Sequence, residues 1–414
     1  MQTPYQKVSE TRMSDRIEKL ACCSLPGSGV TRLSYTKEME SAEELVSRWM
    51  REAGMIVRRD EMGNLIGRYE GIESEGPALL IGSHLDSVVE AGKYDGILGV
   101  IAGIEVIQAM FECNIKPYYP IEVIGFCDEE GARFHTTLLG SRAISGNLCY
   151  EDLEIKDENG ISVANAMKNY GLDPSIYRRA ARDPQSLLGY LELHIEQGPV
   201  LEQMNQACGA VSGIAGQSRY LFHIKGLAGH AGTVPVSMRK DALVGAAQMI
   251  QTIERIALEY ELVATVGKLS VKPGASNVIP GLVEGTLDIR SIDCNRKREA
   301  LQRIMAESNR ICERRGLICV FEKVMESPAV FCSSTMIDVI ESALEGHRMK
   351  SVQLVSGAGH DAMALVANTD IGMIFVRCRG GVSHHPDEFV AIEDMKKGAA
   401  VLLDVVLKIA KADK

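Results

Sequence analysis

The chain has 414 residues, of which 46% are hydrophobic and 24% charged, and its formal net charge is −10 at pH 7. This length is more than one hydrophobic core usually serves, so we expect two or three domains. The negative charge, with no stretch rich in Lys and Arg to offset it, argues against a nucleic-acid partner. Eleven cysteines without Cys-x-x-Cys spacing predict reduced thiols in a cytoplasmic protein. No uncharged apolar stretch reaches 18 residues, so we expect neither secretion nor membrane insertion.

The first half of the chain alternates between helical and strand-like apolar patterns. Short apolar runs bounded by Gly and Pro are typical of buried strands, and an apolar pattern on all sides is typical of a buried helix. The predicted elements are helices near 14–24, 38–54 and 96–112, and strands near 55–59, 64–69, 77–82 and 120–127. This alternation predicts an α/β fold with a mostly parallel sheet.

From about Val211 the pattern changes to β-α-β-β-α-β, the split βαβ arrangement of ferredoxin-like domains. Its predicted elements are strands at 219–226, 262–271, 282–290 and 317–324 and helices at 239–260 and 294–314. The α/β alternation then resumes with helices at 334–346 and 391–411 and strands at 352–355 and 371–376. We therefore predict a small α+β domain, residues 213–327, inserted into a larger domain formed by residues 1–212 and 328–414.

Three side chains that can bind metal, His84, Asp86 and Asp95, occur within twelve residues after the apolar run 77–82. Open α/β sheets bind ligands at the carboxyl ends of their strands. In His-x-Asp the imidazole can bind a metal through one nitrogen while a carboxylate accepts a hydrogen bond from the other. We interpret the stretch as half of a two-metal hydrolytic site. The alternative is a His–Asp pair at a strand end without a metal.

Three consecutive acids, Asp128, Glu129 and Glu130, follow the predicted strand 120–127. If all three were ionised and close together they would repel one another, so an exposed turn is one interpretation. A bound metal removes this objection, because one carboxylate can bind it while its neighbour acts as a general base on a bound water.

Further histidines lie at or after strand ends. His194 ends an apolar strand, and His384 and His385 lie in a loop after the strand 371–376. A single histidine at a strand end is more often structural, but a third occurrence of the same design favours a metal site. Adjacent histidines cannot easily bind one ion together, so we expect one ligand here and prefer His384.

These motifs together resemble the di-metal amidohydrolases related to aminoacylases and zinc exopeptidases, in the branch containing N-carbamoyl-L-amino-acid hydrolases and allantoate amidohydrolases. The motifs that carry the resemblance are GSGVTRL at 27–33, GSHLDSV at 82–88, YDG at 94–96, DEEGARF at 128–134, LHIEQG at 193–198, GHAGTVP at 229–235, SNVIPG at 276–281, SGAGHDAM at 356–363 and GVSHHP at 381–386. The segments more similar to allantoate amidohydrolases, especially those of plants, are 135–141, 216–217, 233–235, 275–277 and 377–381. One departure is His385, where relatives commonly have Ser or Asn, and it leaves the choice between His384 and His385 open.

The resemblance implies two divalent metal ions per subunit. It implies that His84 and His194 hold one metal, that Glu130 and His384 hold the other, and that Asp95 bridges the two. Nitrogen and oxygen donors suit Zn²⁺ or Mn²⁺. Asp86 would orient His84. Glu129 would take a proton from the attacking water and deliver it to the leaving nitrogen.

The resemblance also assigns roles to residues of the inserted domain, which would act as a lid and form a homodimer. His230 of the partner subunit would stabilise the charge that develops on the substrate oxygen. Arg290 would bind the substrate carboxylate through two hydrogen bonds, and Asn277 and Gln217 would bind its carboxylate or ureido groups. The alternatives are a histidine packed in a Gly-Ala-Gly loop and an arginine exposed to solvent.

The resulting hypothesis is a cytoplasmic, homodimeric, metal-dependent amidohydrolase acting on a small ureide that carries a carboxylate. The preferred reaction converts allantoate to ureidoglycine, ammonia and carbon dioxide. Hydrolysis of N-carbamoyl-L-amino acids is the alternative within the same class. A non-catalytic protein that binds a metal or a ureide is a remoter alternative, and Glu129 argues against it because a binding protein needs the ligands but not the base.

Overall fold

The computed structural model describes residues 3–411. The chain divides into a first unit, made of the described residues up to Ser212 and from Phe331 onward, and a second unit, Gly213–Val330. The insertion predicted from the sequence is 213–327.

The helices and strands are numbered in chain order. The α-helices are α1 Pro4–Lys7, α2 Glu10–Ala21, α3 Lys37–Glu52, α4 Ile97–Glu112, α5 Leu139–Ile144, α6 Tyr150–Leu153, α7 Val163–Asn169, α8 Val200–Gln203, α9 Ala242–Glu259, α10 Cys294–Arg314, α11 Ser334–Gly346, α12 Ala362–Leu365 and α13 Ile392–Ile409. The strands are β1 Ile56–Arg59, β2 Leu65–Tyr69, β3 Ala78–His84, β4 Ile121–Phe126, β5 Leu187–Ile195, β6 Cys208–Ile214, β7 Gly216–Lys225, β8 Gly229–His230, β9 Val263–Thr265, β10 Leu269–Lys272, β11 Val278–Ile279, β12 Leu282–Ser291, β13 Ile318–Ser327, β14 Val330–Phe331, β15 Gln353–Ser356 and β16 Ile371–Val376.

The larger sheet has the strand order β1-β2-β4-β3-β5-β16-β6-β14, and β15 also pairs with β6. Its four central strands, β4, β3, β5 and β16, run parallel to one another. The pairs toward the two edges, β1 with β2, β2 with β4 and β16 with β6, are antiparallel. The predicted α/β fold with a mainly parallel central sheet is confirmed.

Helix α4 lies unusually close to the central strands. A Cβ added at Gly99 would lie 2.2 Å from the carbonyl oxygen of Leu193 on β5, and one added at Gly103 would lie 3.1 Å from Ile81 on β3. Only glycine tolerates the first of these distances. The close packing fixes the start of α4, and therefore Asp95 just before it, relative to the central strands.

The second unit contains an antiparallel sheet of order β10-β12-β7-β13, with β9 also on β12, and a separate two-stranded ribbon, β8 with β11. Side chains of β12 alternate between buried and half-buried positions, and helices α9 and α10 contribute to the same apolar core. The single strand predicted at 262–271 is instead two strands, β9 and β10, because the chain leaves the ladder around Gly267. Glycine weakens a strand, which accounts for the break.

None of the helices within residues 3–411 combines the length and the apolar character that crossing a membrane requires.

Candidate metal centre

The two central strands β3 and β5 each place a histidine at their carboxyl end. Ile81 and Leu191 are paired in the parallel ladder, and each lies three residues before a histidine. The rings of His84 and His194 are therefore neighbours, with centroids 5.8 Å apart, and both residues are 2% exposed. The buried apolar strands therefore fix these two rings side by side.

Asp95 lies between these histidines and a third one. Its Oδ1 is 3.1 Å from His194 Nε2 and 3.6 Å from His84 Nε2, whereas its Oδ2 is 3.2 Å from His384 Nε2. Burial alone would raise the pKa of Asp95, but hydrogen bonds from the three imidazoles hold this pKa well below its ordinary value. The carboxylate therefore stays ionised. Its Oδ1 is directed to His84 and His194, and its Oδ2 is directed to His384.

The two glutamates of the acidic run face the same cluster. Glu130 Oε1 lies 3.4 Å from His384 Nε2, and Glu129 Oε2 lies 3.9 Å from His84 Nε2. Burial raises the pKa of Glu130 to about 7, and it raises the pKa of Glu129 well above its ordinary value. Several acids that are buried together favour a nearby cation.

The hydrogen bonds of His84 and His194 indicate which ring nitrogen faces the cluster. His84 Nδ1 donates to the backbone carbonyl of Asp86 at 3.0 Å, and His194 Nδ1 donates to the backbone carbonyl of Ile195 at 2.9 Å. Because a carbonyl oxygen only accepts, each Nδ1 carries hydrogen. The Nε2 of each ring faces Asp95, where it donates to the carboxylate when the ring is protonated and offers a lone pair to a metal when the ring is neutral.

The carboxylate of Asp86 has partners in addition to the one that the sequence predicts, His84. It lies 3.7 Å from His84 Nδ1 and accepts hydrogen bonds from the backbone N–H groups of Glu129 at 3.0 Å and Glu130 at 3.1 Å. Asp86 thus accepts a hydrogen bond from His84 through its main chain, while its carboxylate lies in ionic contact with the same ring. The side chain of Asp86 fixes the backbone that carries the two glutamates.

The residues of this cluster fit divalent cations. Ligand atoms of His84, Asp95 and His194 lie within 4.8 Å of one another, and so do those of Asp95, Glu130 and His384. Glu130 Oε1 is buried and has no hydrogen-bond partner among the described residues, which is costly unless a cation satisfies it. The donors are nitrogen and oxygen atoms, which divalent first-row metals such as Mn²⁺ and Zn²⁺ accept as ligands.

Three residues at or beside this cluster have a left-handed backbone conformation. Asp128, Gln197 and His384 have φ values of 54°, 56° and 54°, in the left-handed region that residues other than glycine rarely adopt. Such conformations cost on the order of 1–3 kcal/mol each and tend to occur at functional sites.

The structure distinguishes between the adjacent histidines 384 and 385. His384 faces Asp95 and Glu130, as described above. His385 has a side chain 59% exposed, and its Nδ1 accepts a hydrogen bond from the backbone of Asp387. Of the two, only His384 lies in the cluster.

In the second unit, two predicted substrate-binding residues are directly paired across the sheet. Arg290 on β12 lies opposite Gln217 on β7. Both bind the carboxylate of Asp288: Arg290 through Nε at 2.9 Å and Nη2 at 3.1 Å, and Gln217 through its side-chain amide. Arg219 Nη2 also donates to Asp288 at 3.1 Å. The structure thus brings two guanidinium groups and one amide around a single carboxylate.

The other two predicted residues of this unit lie on the β8–β11 ribbon. His230 pairs with Val278, the residue after Asn277, and both His230 and Asn277 are exposed. Nδ1 of His230 accepts a hydrogen bond from the backbone N–H of Gly232 at 3.1 Å, so Nε2 is the ring nitrogen that can donate.

Four residues that contact these clusters had no role in the sequence-based prediction. Gln197 and Ser383 hydrogen-bond to the Asp95 carboxylate, Glu388 accepts the backbone N–H of Asp95, and the fourth is Asp288. Gln197 and Ser383 lie within motifs named above, where the signal was present but not used. Glu388 follows the last motif by two residues, and Asp288 lies in an ordinary strand pattern, so their roles depend on contacts that only the fold shows.

Comparisons with known proteins identify the family of the chain. The chain matches the model of Peptidase family M20/M25/M40 over residues 80–408. It is 44% identical to an N-carbamoyl-L-amino-acid amidohydrolase from Pseudomonas sp. (strain NS671), over 97% of this chain and 98% of that protein. It is 42% identical to allantoate deiminase 1 from Glycine max, over 86% of this chain and 80% of that protein. An amidase of the hydantoinase/carbamoylase family from Burkholderia multivorans has a TM-score of 0.92 at 33% identity, with 98% of each chain covered. The resemblance predicted from the motifs is confirmed.

Gly96→Ala should disturb the cluster. An added Cβ would lie 2.5 Å from three ring atoms of His84, and Gly96 has a φ of +69°. We expect the ring to turn away and the affinity for a divalent metal to fall by about 10-fold or more, measured by competition with a chromogenic chelator. Gly171→Ala is the control, since Gly171 has a φ of +83° and no heavy atom near its added Cβ. Equal metal affinity in the two variants would contradict the expected role of this contact.

Proposed function

The chain belongs to peptidase family M20/M25/M40 and is a hydrolase of C–N bonds, and we propose that it cleaves a ureido C–N bond with two divalent ions, Zn²⁺ or Mn²⁺. The observation that carries the proposal is the position of Asp95, whose two oxygens face different sets of donors. A single carboxylate placed in this way can bridge two ions. His84 and His194 would bind the first ion, and Glu130 and His384 the second.

The bound ions would supply Lewis-acid polarisation of the scissile carbonyl and a lower pKa for water. The remaining steps belong to the chain. Glu129 is 8% exposed, and its carboxylate lies beside His84 at the edge of the cluster. Glu129 is placed to accept a proton from water and return it to the leaving nitrogen, and burial, which raises its pKa, makes it a stronger base than an exposed carboxylate. Asp86, through the two backbone N–H groups, keeps Glu129 in place for both transfers.

Residues of the second unit would recognise the substrate. Arg290 is suited to a substrate carboxylate because its planar guanidinium can form paired hydrogen bonds. Gln217 and Asn277 offer amide groups for the carboxylate or a ureido group. His230, exposed on the ribbon, would donate a hydrogen bond to the oxygen on which negative charge develops. We propose that His230 acts in the site of the partner subunit of a homodimer.

Allantoate is the proposed substrate. It carries a second ureido group where an N-carbamoyl amino acid carries its side chain, and the polar side chain of Gln217 can bind that group. The 44% identity to an N-carbamoyl-L-amino-acid amidohydrolase supports N-carbamoyl-L-amino acids as the second candidate.

The experiment that tests this proposal measures ammonia release from allantoate and from a panel of N-carbamoyl-L-amino acids by metal-loaded protein. We expect kcat/KM to be about 10- to 100-fold higher for allantoate. The Nε2 of Gln217 is bound to Asp288, and its Oε1 can accept from the second ureido group, whereas an apolar side chain would desolvate this oxygen without a partner, at about 1–3 kcal/mol. Gln217→Leu should reduce this preference. If carbamoylated Met or Leu were the better substrate for the unaltered chain, the second candidate would replace the first.

Glu129→Gln should keep its metal and lose turnover. We expect kcat to fall about 10²- to 10⁴-fold, the range for removal of a general base, with the metal content unchanged by elemental analysis. Glu43→Gln is the matched control, because burial also raises the pKa of Glu43, to about 7, but this residue lies on α3 beside Arg59 and outside the cluster. A near-normal rate for Glu129→Gln would remove Glu129 from the mechanism.

The role of His230 across a dimer can be tested by mixing two inactive variants. Glu129→Gln and His230→Ala proteins, dissociated and reassociated together, should form heterodimers in which one site has both unaltered residues. A two-fold dimer has two equivalent sites. With random pairing of equal amounts, about half of the dimers would be heterodimers, and one of the two sites in each would be restored, which is about one quarter of all sites. Heterodimers that are verified, folded and metal-loaded but inactive would show that His230 does not act across subunits.

A further inference from the structure

Glu388 is a buried acid whose contacts connect the end of the chain to Asp95. It is 3% exposed, and its Oε1 accepts hydrogen bonds from the backbone N–H groups of Tyr94 at 2.9 Å and Asp95 at 3.0 Å. A carboxylate oxygen that accepts two adjacent backbone N–H groups fixes the direction of that part of the main chain. The direction of the main chain in turn sets the direction in which the Asp95 side chain leaves the backbone.

The second oxygen of Glu388 meets the Asp95 side chain through Ser383. The hydroxyl of Ser383 lies 2.9 Å from Asp95 Oδ2 and 3.2 Å from Glu388 Oε2. A hydroxyl has one hydrogen, so it donates to one of these carboxylates at a time. Gln197 Nε2 donates to the same Oδ2 at 2.8 Å and to the Ser383 hydroxyl at 3.1 Å. Donors on one side of Asp95 thereby leave Oδ1 directed to His84 and His194.

From these contacts we infer that Glu388 is a positioning residue for the metal centre, holding Asp95 in the orientation in which its two oxygens serve two ions. This inference rests on the proposed function, since it assigns Glu388 to the same site. Among the described residues, the groups of side chains that could hold an ion do not include Glu388.

The surrounding packing leaves Glu388 little freedom. A Cβ added at Gly92 would lie 2.3 Å from Glu388 Cβ and Oε1, so the segment before Asp95 lies directly against this side chain. Asp95 and Glu388 are therefore fixed relative to each other by hydrogen bonds and by steric contact together. Residues that hydrogen-bond to a metal ligand without binding the metal themselves typically contribute 10- to 100-fold to metal affinity or activity.

The chain offers a matched control in Glu196. This glutamate is 8% exposed and also accepts two backbone N–H groups, those of Val200 at 2.7 Å and Leu201 at 2.8 Å. These two residues begin helix α8 and are not proposed ligands. Removing either glutamate side chain leaves two backbone N–H groups without their acceptor, but only Glu388 holds a ligand residue.

The test compares Mn²⁺ and Zn²⁺ affinity, by chelator competition, in the full-length wild-type chain, Glu388→Ala and Glu196→Ala, with thermal unfolding of the metal-free proteins. We expect both substitutions to lower the metal-free Tm, but only Glu388→Ala to weaken metal affinity, by about 10- to 100-fold. Glu388→Gln keeps an oxygen that can accept from Tyr94 and Asp95, so its affinity should stay within about threefold of wild type because the geometry and not the charge is needed.

Each outcome distinguishes the inference from the proposed function. Wild-type protein that binds no divalent ion would overturn the proposed metal centre and the inference with it. Wild-type protein that binds metal, together with a folded Glu388→Ala variant of equal affinity, would overturn the inference alone. If Glu388→Ala does not fold, Glu388→Asp serves instead: its shorter side chain cannot reach both N–H groups, and unchanged affinity in that variant would overturn the inference.

Discussion

The structure depends on how it accommodates negative charge beneath its surface. Asp95, Glu129 and Glu130 converge on the same few ångströms as three imidazoles, and an isolated buried carboxylate is too costly to persist in its charged form. A cation resolves this conflict, because it compensates several carboxylates and imidazole lone pairs at once. The parallel strands bring their carboxyl ends together at this place, and α4 lies close against them, so the fold supplies the convergence that a metal requires.

Around this cluster, hydrogen bonds from the main chain fix ligands that would otherwise repel one another. Asp86 accepts the N–H groups of Glu129 and Glu130, and Glu388 accepts those of Tyr94 and Asp95. Both acids are buried, and each binds a short segment that carries proposed ligands. The left-handed conformations at Asp128 and His384 show that the surrounding fold tolerates strain in order to direct these side chains. Two acids outside the proposed ligand set therefore fix the backbone from which the proposed ligands project.

The parts of the fold that were predictable are those determined by local pattern. Helix α10 at 294–314 and strand β16 at 371–376 have the predicted bounds, because a strong apolar pattern and, for α10, the cap Asp293 define them. Helix α2 begins at Glu10, four residues before the predicted start, because the side chain of Ser9 accepts the N–H of Arg12 and caps it. His84 and His194 could be placed at strand ends from sequence alone. Glu388 could not, since it lies 293 residues from the Asp95 backbone that it binds; nor could the backbone partners of the Asp86 carboxylate, which depend on how two loops meet.

Charge also accounts for how the second unit could attract its substrate. Arg219 and Arg290 both bind Asp288, so two positive groups share one negative group. The pKa of Asp288 is subject to opposing influences: burial would raise it, but the hydrogen bond and charge of Arg290 hold it below its ordinary value, so this carboxylate stays ionised. The trio then carries one net positive charge, which a substrate carboxylate would neutralise. The charge of Arg219, which is 44% exposed, is weakened by solvent and salt, so Arg290, less exposed at 30%, would provide the larger part of the attraction. Asp288 thereby holds Arg290 and Gln217 in a fixed geometry without cancelling the positive charge that the proposed binding of a carboxylate requires.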